Sequence, residues 1–312
     1  MQLKLINNEF SVCKIVDYSE INLNQEWMTI LKSESIDMKW TVLSDNRTNN
    51  DLLQTEHGLS ILLVTGRHRI LLDTGASDVF IRNAEQLGID LSTVDYVFIS
   101  HGHSDHAGGL RYLMEINNKA RIIVSPHAVS GKFFSKRRYF HSITTQWPKD
   151  MQNRLLLVDQ TCEIADDLHV IAHIPQSHPM PQSNQHLFVE KSDGDYVNDD
   201  FRHELALYVD GLLFTGCAHS GLENILSACP YPVHTVVGGF HLLDDYELTE
   251  QRELTALAQR LKVSYPNTRF YTSHCTGDKV FEILKTMMGE QLYAFSCGSE
   301  QTPLNECVRS DC

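Results

Sequence analysis

One short segment constrains this chain more than any other. The apolar, β-rich run Tyr96-Val97-Phe98-Ile99 leads through Ser100 into His101-Gly102-His103-Ser104-Asp105-His106, with Gly108-Gly109-Leu110 just beyond. Three imidazoles and a carboxylate within six residues exceed what core packing calls for. Alternate residues on an extended turn aim His101 and His103 at one ion, while Asp105 and His106 face a second. Neutral imidazole and carboxylate suit zinc, iron or manganese. The paired glycines are expected to let the backbone turn tightly into a helix. A strand, a ligand-bearing turn and a helix start therefore have to meet at one rim.

The rest of the chain alternates in the same style. Ser60–Val64 and Ile70–Leu72 are apolar runs on either side of a Gly66 turn, which predicts a hairpin. Leu205–Val209 and Leu212–Phe214 predict another across Asp210-Gly211. Further strands are expected at 121–124, 155–158, 168–171, 233–237 and 269–271. Helical spacing is carried by Phe80, Ala84 and Leu87, by Leu110, Leu113 and Met114, by Leu254, Leu257, Ala258 and Leu261, and by Val280, Phe281, Leu284 and Met288. Hairpins mixed with flanking helices argue against a purely parallel sheet. They fit an α/β architecture of two mixed sheets with helices on both outer faces. Residues 1–37 read as a short N-terminal extension with one strand pattern at 10–16, faintly like a regulatory ACT-type strand, and 38–312 as the main domain. The long stretch 126–150, with Lys132, Lys136, Arg137 and Arg138, reads as a functional or mobile loop.

Composition limits the partners. The 312 residues are 42% hydrophobic and 21% charged, ordinary for a globular chain, and the net charge is -14. Such a surface repels phosphate backbones and anionic membranes, so neither nucleic acid nor membrane is expected as a partner. A small anionic or phosphorylated substrate stays compatible, because bound cations invert the local field. With no secretory pattern at the start and no bilayer-length apolar run, the expected location is the cytoplasm. The eight cysteines include no CxxC pair, which leaves no structural zinc ribbon, and free thiols are expected.

HxHxDH followed by Gly-Gly-Leu resembles the metal motif of the metallo-β-lactamase superfamily. LLDTGAS at 71–77, LFTGCAHSG at 213–221, GGFHLL at 238–243 and SHCTGD at 273–278 match in order. With DNRT and EHGLS, they resemble the branch typified by 7,8-dihydropterin-6-ylmethyl-4-(β-D-ribofuranosyl)aminobenzene-5'-phosphate synthase of the methanopterin pathway, over about residues 38–300. The resemblance implies the four-layer αββα metallo-β-lactamase fold and a dinuclear centre of two divalent ions, zinc first and iron or manganese as alternatives. Its metal ligands would be His101, His103, Asp105, His106, Cys217, His219 and His274. Cys217 stands where relatives commonly carry an aspartate. His178, in the Pro-rich IPQSHPMP turn, competes with His219 for the place of the third imidazole. Asp73 is expected to hold a ligand histidine in one orientation. Free N–H groups at Thr276-Gly277-Asp278 would suit a phosphate or carboxylate, and so would the basic residues at 132–138.

The activity implied is metal-dependent hydrolysis of an ester, phosphodiester or related small molecule. Asp105 would orient the nucleophile or accept its proton, and His241 would protonate the leaving group. The branch implies an alternative: a transferase joining a dihydropterin to an aminobenzene ribosyl phosphate. A di-iron redox protein and a non-enzymatic, metal-bearing sensor are the remaining alternatives. Glu56 and His57 have no assigned role at this level.

Overall fold

A computed structural model describes residues 38–243 and 248–302; the strand expected at 10–16 lies outside them. Two seven-stranded sheets form the middle of the molecule. In the first, the order from one edge is Glu300–Gln301, Lys39–Ser44, Ser60–Val64, Arg69–Leu72, Tyr96–Phe98, Arg121–Val124 and Leu155–Leu157. In the second it is Leu292–Ala294, Arg269–Thr272, Thr235–Val237, Leu212–Phe214, Ala206–Val209, Leu168–Ile171 and Cys162–Ala165. Each sheet is antiparallel on one side and parallel on the other, as expected of mixed sheets.

Side-chain alternation makes the layers. Along Ser60–Val64, Ile61 and Leu63 point into the space between the sheets while Leu62 points out. Along Ala206–Val209, Leu207 and Val209 point in, and Ala206 and Tyr208 point out. Both faces are buried, so these strands read as continuous apolar runs rather than polar–apolar alternations. The inner layer joins the sheets through contacts such as Phe98 edge-on to Phe214, with centroids 6.0 Å apart. Each fully buried aliphatic or aromatic side chain there stabilises the fold by about 1.5–3 kcal/mol. The outer face of the first sheet is covered by the helices Val79–Gln86 and Leu110–Ile116. That of the second is covered by Leu222–Ala228, Leu248–Ser264 and Asp278–Met288. This is the expected four-layer αββα order.

The stretch 126–150 differs from the expected loop. Phe133–Ser135 and His141–Ser142 pair with Leu187–Ser192 and Asp195–Asn198 in a third, four-stranded sheet. Its edge is stitched to the histidine turn: Ser104 N–H donates to Ile143 O at 2.8 Å, and the Thr145 hydroxyl donates to Gly102 O at 3.0 Å. Lys132 is paired with Glu190 at 2.7 Å, so one of the four cations expected to attract substrate is already matched. None of the described helices is long and apolar enough to cross a membrane.

Candidate metal centre

The centre lies where parallel strands end. Asp73 follows Arg69–Leu72, the histidine turn follows Tyr96–Phe98, Cys217 follows Leu212–Phe214, His241 follows Thr235–Val237, and His274 follows Arg269–Thr272. Carboxyl ends of parallel strands are where open α/β sheets place ligands. Several of these corners are strained: Asp73, Ala218, His241 and His274 hold left-handed backbone, with φ of 56°, 56°, 48° and 50°. Gly108 and Gly109 do not serve as the expected turn. Both have ordinary negative φ. A Cβ on Gly109 would come within 2.1 Å of Thr74 O, so glycine is needed there for close approach to the Asp73 loop.

Two donor sets meet at this rim. In the first, donor atoms of His101, His103 and His219 all lie within 4.8 Å of one another. The three side chains are buried, and the Nε2 atom of each has no hydrogen-bond partner. Their other contacts fix which nitrogen is free: His101 Nδ1 lies 2.8 Å from Ser100 Oγ, and His219 Nδ1 lies 3.3 Å from Asn184 Oδ1. Burial pushes all three pKa values down, to about 3 for His103 and well below the ordinary histidine value for His101 and His219. The rings are therefore neutral at pH 7, the form that binds metal. Three converging lone pairs buried without partners are costly unless a cation takes them up.

In the second set, His106 Nε2 lies 3.1 Å from His274 Nε2 and 3.1 Å from Cys217 Sγ. Asp105 Oδ2 lies 3.7 Å from His106 Nε2 and 3.5 Å from His274 Nε2. Tetrahedral zinc with bonds near 2.1 Å separates its ligand atoms by about 3.4 Å, close to the spacings among His106, His274 and Asp105, while Cys217 approaches this trio through His106 and His57 groups with Asp105 and His274. Burial would raise the Asp105 pKa, but His106 and the hydrogen bond from His274 outweigh it and hold the carboxyl well below its usual range. Burial would lower His274, but Asp105 outweighs it and raises the imidazole to about 9. Burial pushes the Cys217 thiol well above its ordinary value, and the adjacent Cys275 sulfur adds to this. His101, His106 and Cys217 also group within 4.8 Å, which links the two sets.

Buried carboxylates hold the ligands in place. Asp73 Oδ2 accepts from His106 Nδ1 at 2.6 Å and from the Ser100 hydroxyl at 2.7 Å, while Oδ1 accepts from Ser100 N–H at 2.7 Å. That leaves His106 Nε2 facing the centre, the part expected of Asp73. Asp45 does for the His274 corner what Asp73 does for His106. It accepts from His274 N–H at 3.0 Å and from the Ser273 hydroxyl at 2.7 Å, and Asn46 Oδ1 lies 3.1 Å from His274 Nδ1. Glu204 accepts from the N–H groups of His219 and Ser220, each at 2.7 Å, and burial raises its pKa to about 7.

His178 joins no donor group. Its backbone N–H donates to Asn224 Oδ1 at 2.7 Å, and its Pro-rich segment leads to Asn184, which donates to His219 O at 2.7 Å. That segment thus reaches the His219 backbone through Asn184. At the start of the last helix, Thr276 N–H donates to Ser273 O at 3.0 Å, its hydroxyl accepts from Phe240 N–H, and Asp278 pairs with Arg47. His241 lies against His219, with ring centroids 4.1 Å apart, and is buried.

Four residues at the centre had no role assigned from the sequence. Cys275 Sγ is 3.2 Å from Cys217 Sγ. His203 donates to Asp199 at 3.0 Å and accepts from Gly102 N–H at 3.0 Å, and it groups with His103. Asp199 completes that group. His57 stacks on His274 at 5.0 Å and places Nε2 3.5 Å from Asp105 Oδ2. Glu56, beside it, gains a structural role: it accepts from Ala76 N–H at 3.0 Å and from the Ser77 hydroxyl at 2.6 Å, which holds the loop after Asp73. EHGLS marks His57 and SHCTGD contains Cys275, but neither motif gives those residues a chemistry by itself.

Fold and site together define a protein of the metallo-β-lactamase fold, and a model of the metallo-beta-lactamase superfamily matches residues 54–182. Among solved structures, the chain is similar to Tm1679, a metal-dependent hydrolase of the β-lactamase superfamily. The TM-score is 0.70 at 28% identity, covering 85% of this chain and 98% of the other. Among curated relatives it is similar to two proteins of Methanocaldococcus jannaschii. One, uncharacterized, is 27% identical over 79% of this chain and 93% of its own length. The other is 7,8-dihydropterin-6-methyl-4-(β-D-ribofuranosyl)-aminobenzene-5'-phosphate synthase, 25% identical over 81% and 91%.

Proposed function

We propose that this protein is a metal-dependent hydrolase acting on an ester, phosphodiester or related small-molecule substrate. The observation that carries this reading is the set of three buried Nε2 atoms of His101, His103 and His219, none of them hydrogen-bonded, beside Asp105, His106, His274 and Cys217, whose donor atoms approach one another pairwise. The first set would hold one divalent ion and the second another. Zinc suits a mixture of imidazole, carboxylate and thiolate better than manganese does. Ions bound there supply Lewis acidity: they lower the pKa of water and stabilise negative charge that develops on the substrate.

The chain's own residues do the rest. Asp105 is 21% exposed, the open member of an otherwise closed set. Its carboxylate orients an incoming nucleophile and accepts its proton. His57, 65% exposed and 3.5 Å from that carboxylate, is placed to pass a proton to solvent or to a leaving group. His241, buried behind His219, is not. Asp73 fixes the His106 ring, and Asp45 and Glu204 hold the backbones of His274 and His219, so the centre is ordered before substrate arrives.

The synthase relative, matched over most of both chains, supports a second reading, transfer between a pterin and an aminobenzene ribosyl phosphate. A di-iron redox role is less well supported, because Cys217 sits where a carboxylate bridge would suit iron better. A sensor without activity is disfavoured by the complete donor sets.

Zinc-reconstituted protein should hydrolyse at least one of a panel of phosphodiester, lactone and thioester substrates, and Asp105→Asn should abolish that activity with the fold intact. Formation of a coupled pterin–aminobenzene product with no hydrolysis would favour the transferase. Full activity in Asp105→Asn would overturn the mechanism.

A further inference from the structure

The donor sets above leave a second sulfur unused. Cys217 and Cys275 are 3% and 2% exposed, and their sulfurs stand 3.2 Å apart as free thiols. A disulfide would bring them to about 2.05 Å. His241 is buried beside them with neither ring nitrogen hydrogen-bonded, and donor atoms of Cys217, His241 and Cys275 all lie within 4.8 Å of one another. Its backbone is held in the left-handed region, with its carbonyl accepting from the Ser183 hydroxyl, so the ring is fixed in place. Gly239 completes the pocket: a Cβ there would come within 2.3 Å of Cys275 Sγ. The chain has thus kept room for a sulfur, brought a second sulfur to it and aimed an unpartnered imidazole at both.

We propose that Cys217, His241 and Cys275 form a sulfur-rich metal position on the inner side of the centre, joined to the imidazole sets through Cys217 and suited to a thiophilic ion such as zinc or cadmium. Two sulfurs and one imidazole are a donor set for such ions, and hard oxygen-seeking cations have no place in it. Zinc–sulfur bonds near 2.3 Å separate tetrahedral ligand atoms by about 3.8 Å, so a small outward shift of the sulfurs accommodates an ion. A sulfur that still carries its proton gives it up to solvent as the sulfur–metal bond forms. No oxidant is required. His241 then serves as a ligand and not as the proton donor expected from the sequence.

This inference rests on the centre binding metal, and the test separates the two. Metal-free protein, kept reduced and anaerobic, is titrated with cobalt, and thiolate-to-cobalt charge transfer is read in the near ultraviolet. X-ray absorption of the zinc-loaded wild-type protein counts sulfur ligands without any mutation. Two sulfurs per chain are expected, and Cys275→Ser should lose about half of the charge-transfer intensity while keeping the wild-type circular dichroism. One sulfur per chain in the wild type, or an unchanged spectrum in Cys275→Ser, overturns this inference and leaves the proposed function standing. Uptake of no ion at all overturns both.

Discussion

The two sheets serve the same centre in unlike ways. The first contributes His101, His103, Asp105 and His106 from six consecutive residues, because a single turn after Tyr96–Phe98 runs straight into the helix Ser104–Ala107. The second contributes Cys217, His219, His241, His274 and Cys275 from three separate strand ends. A compact turn concentrates donors, whereas a row of parallel strands distributes them. Each half then braces its donors with buried carboxylates drawn from elsewhere in the chain. Asp73 supports His106, Asp45 supports the His274 corner, and Glu204 supports the His219 backbone.

The comparison can be broken in order of expected effect. Chelation is the largest. If both halves converge on ions, stripping them removes about 4 kcal/mol per ion at a thousandfold excess over Kd, and Tm in scanning calorimetry should fall by roughly 10 °C or more. An unchanged Tm would mean that the halves do not meet through metal. Next comes His219→Ala, which removes the second sheet's contribution to the first donor set. Elemental analysis should then find one ion fewer per chain than in the wild type. Asp73→Asn should be milder. It keeps the shape but weakens the hold on His106 Nδ1, and metal affinity measured by competition with a chelator should drop about 10–100-fold. Smallest is His178→Ala. It should leave the ion count unchanged and shift stability by no more than about 0.5 kcal/mol. Loss of an ion here would reverse the assignment of the third imidazole.

The same contrast explains what the sequence made legible. Runs such as Ser60–Val64 and Leu212–Phe214 announce themselves because both faces are buried, and amphipathic spacing marks the helices just as clearly. HGHSDH is readable because its donors are contiguous. The third sheet is not, since Phe133–Ser135 and His141–Ser142 are three and two residues long, and Phe133–Ser135 takes its other pairing from a strand about fifty residues away. Asp45, Asp199, His203 and Glu204 look like ordinary loop residues until the fold brings strand ends together. Cys275 was hidden by its neighbour: in SHCTGD attention falls on His274, yet the left-handed backbone at His274 lets the two consecutive side chains serve adjoining parts of one centre. Gly108-Gly109 misled in a different way, because close packing and positive φ both select glycine and only coordinates tell them apart.

The central claim is that side chains from both sheets converge on a pair of divalent ions. Anomalous diffraction at the zinc edge from crystals of the zinc-loaded protein tests it most directly. The account predicts one peak among His101, His103 and His219 and another among Asp105, His106, His274 and Cys217. A zinc-loaded crystal with no peak at either place, or with its only peak beside His178, would contradict it.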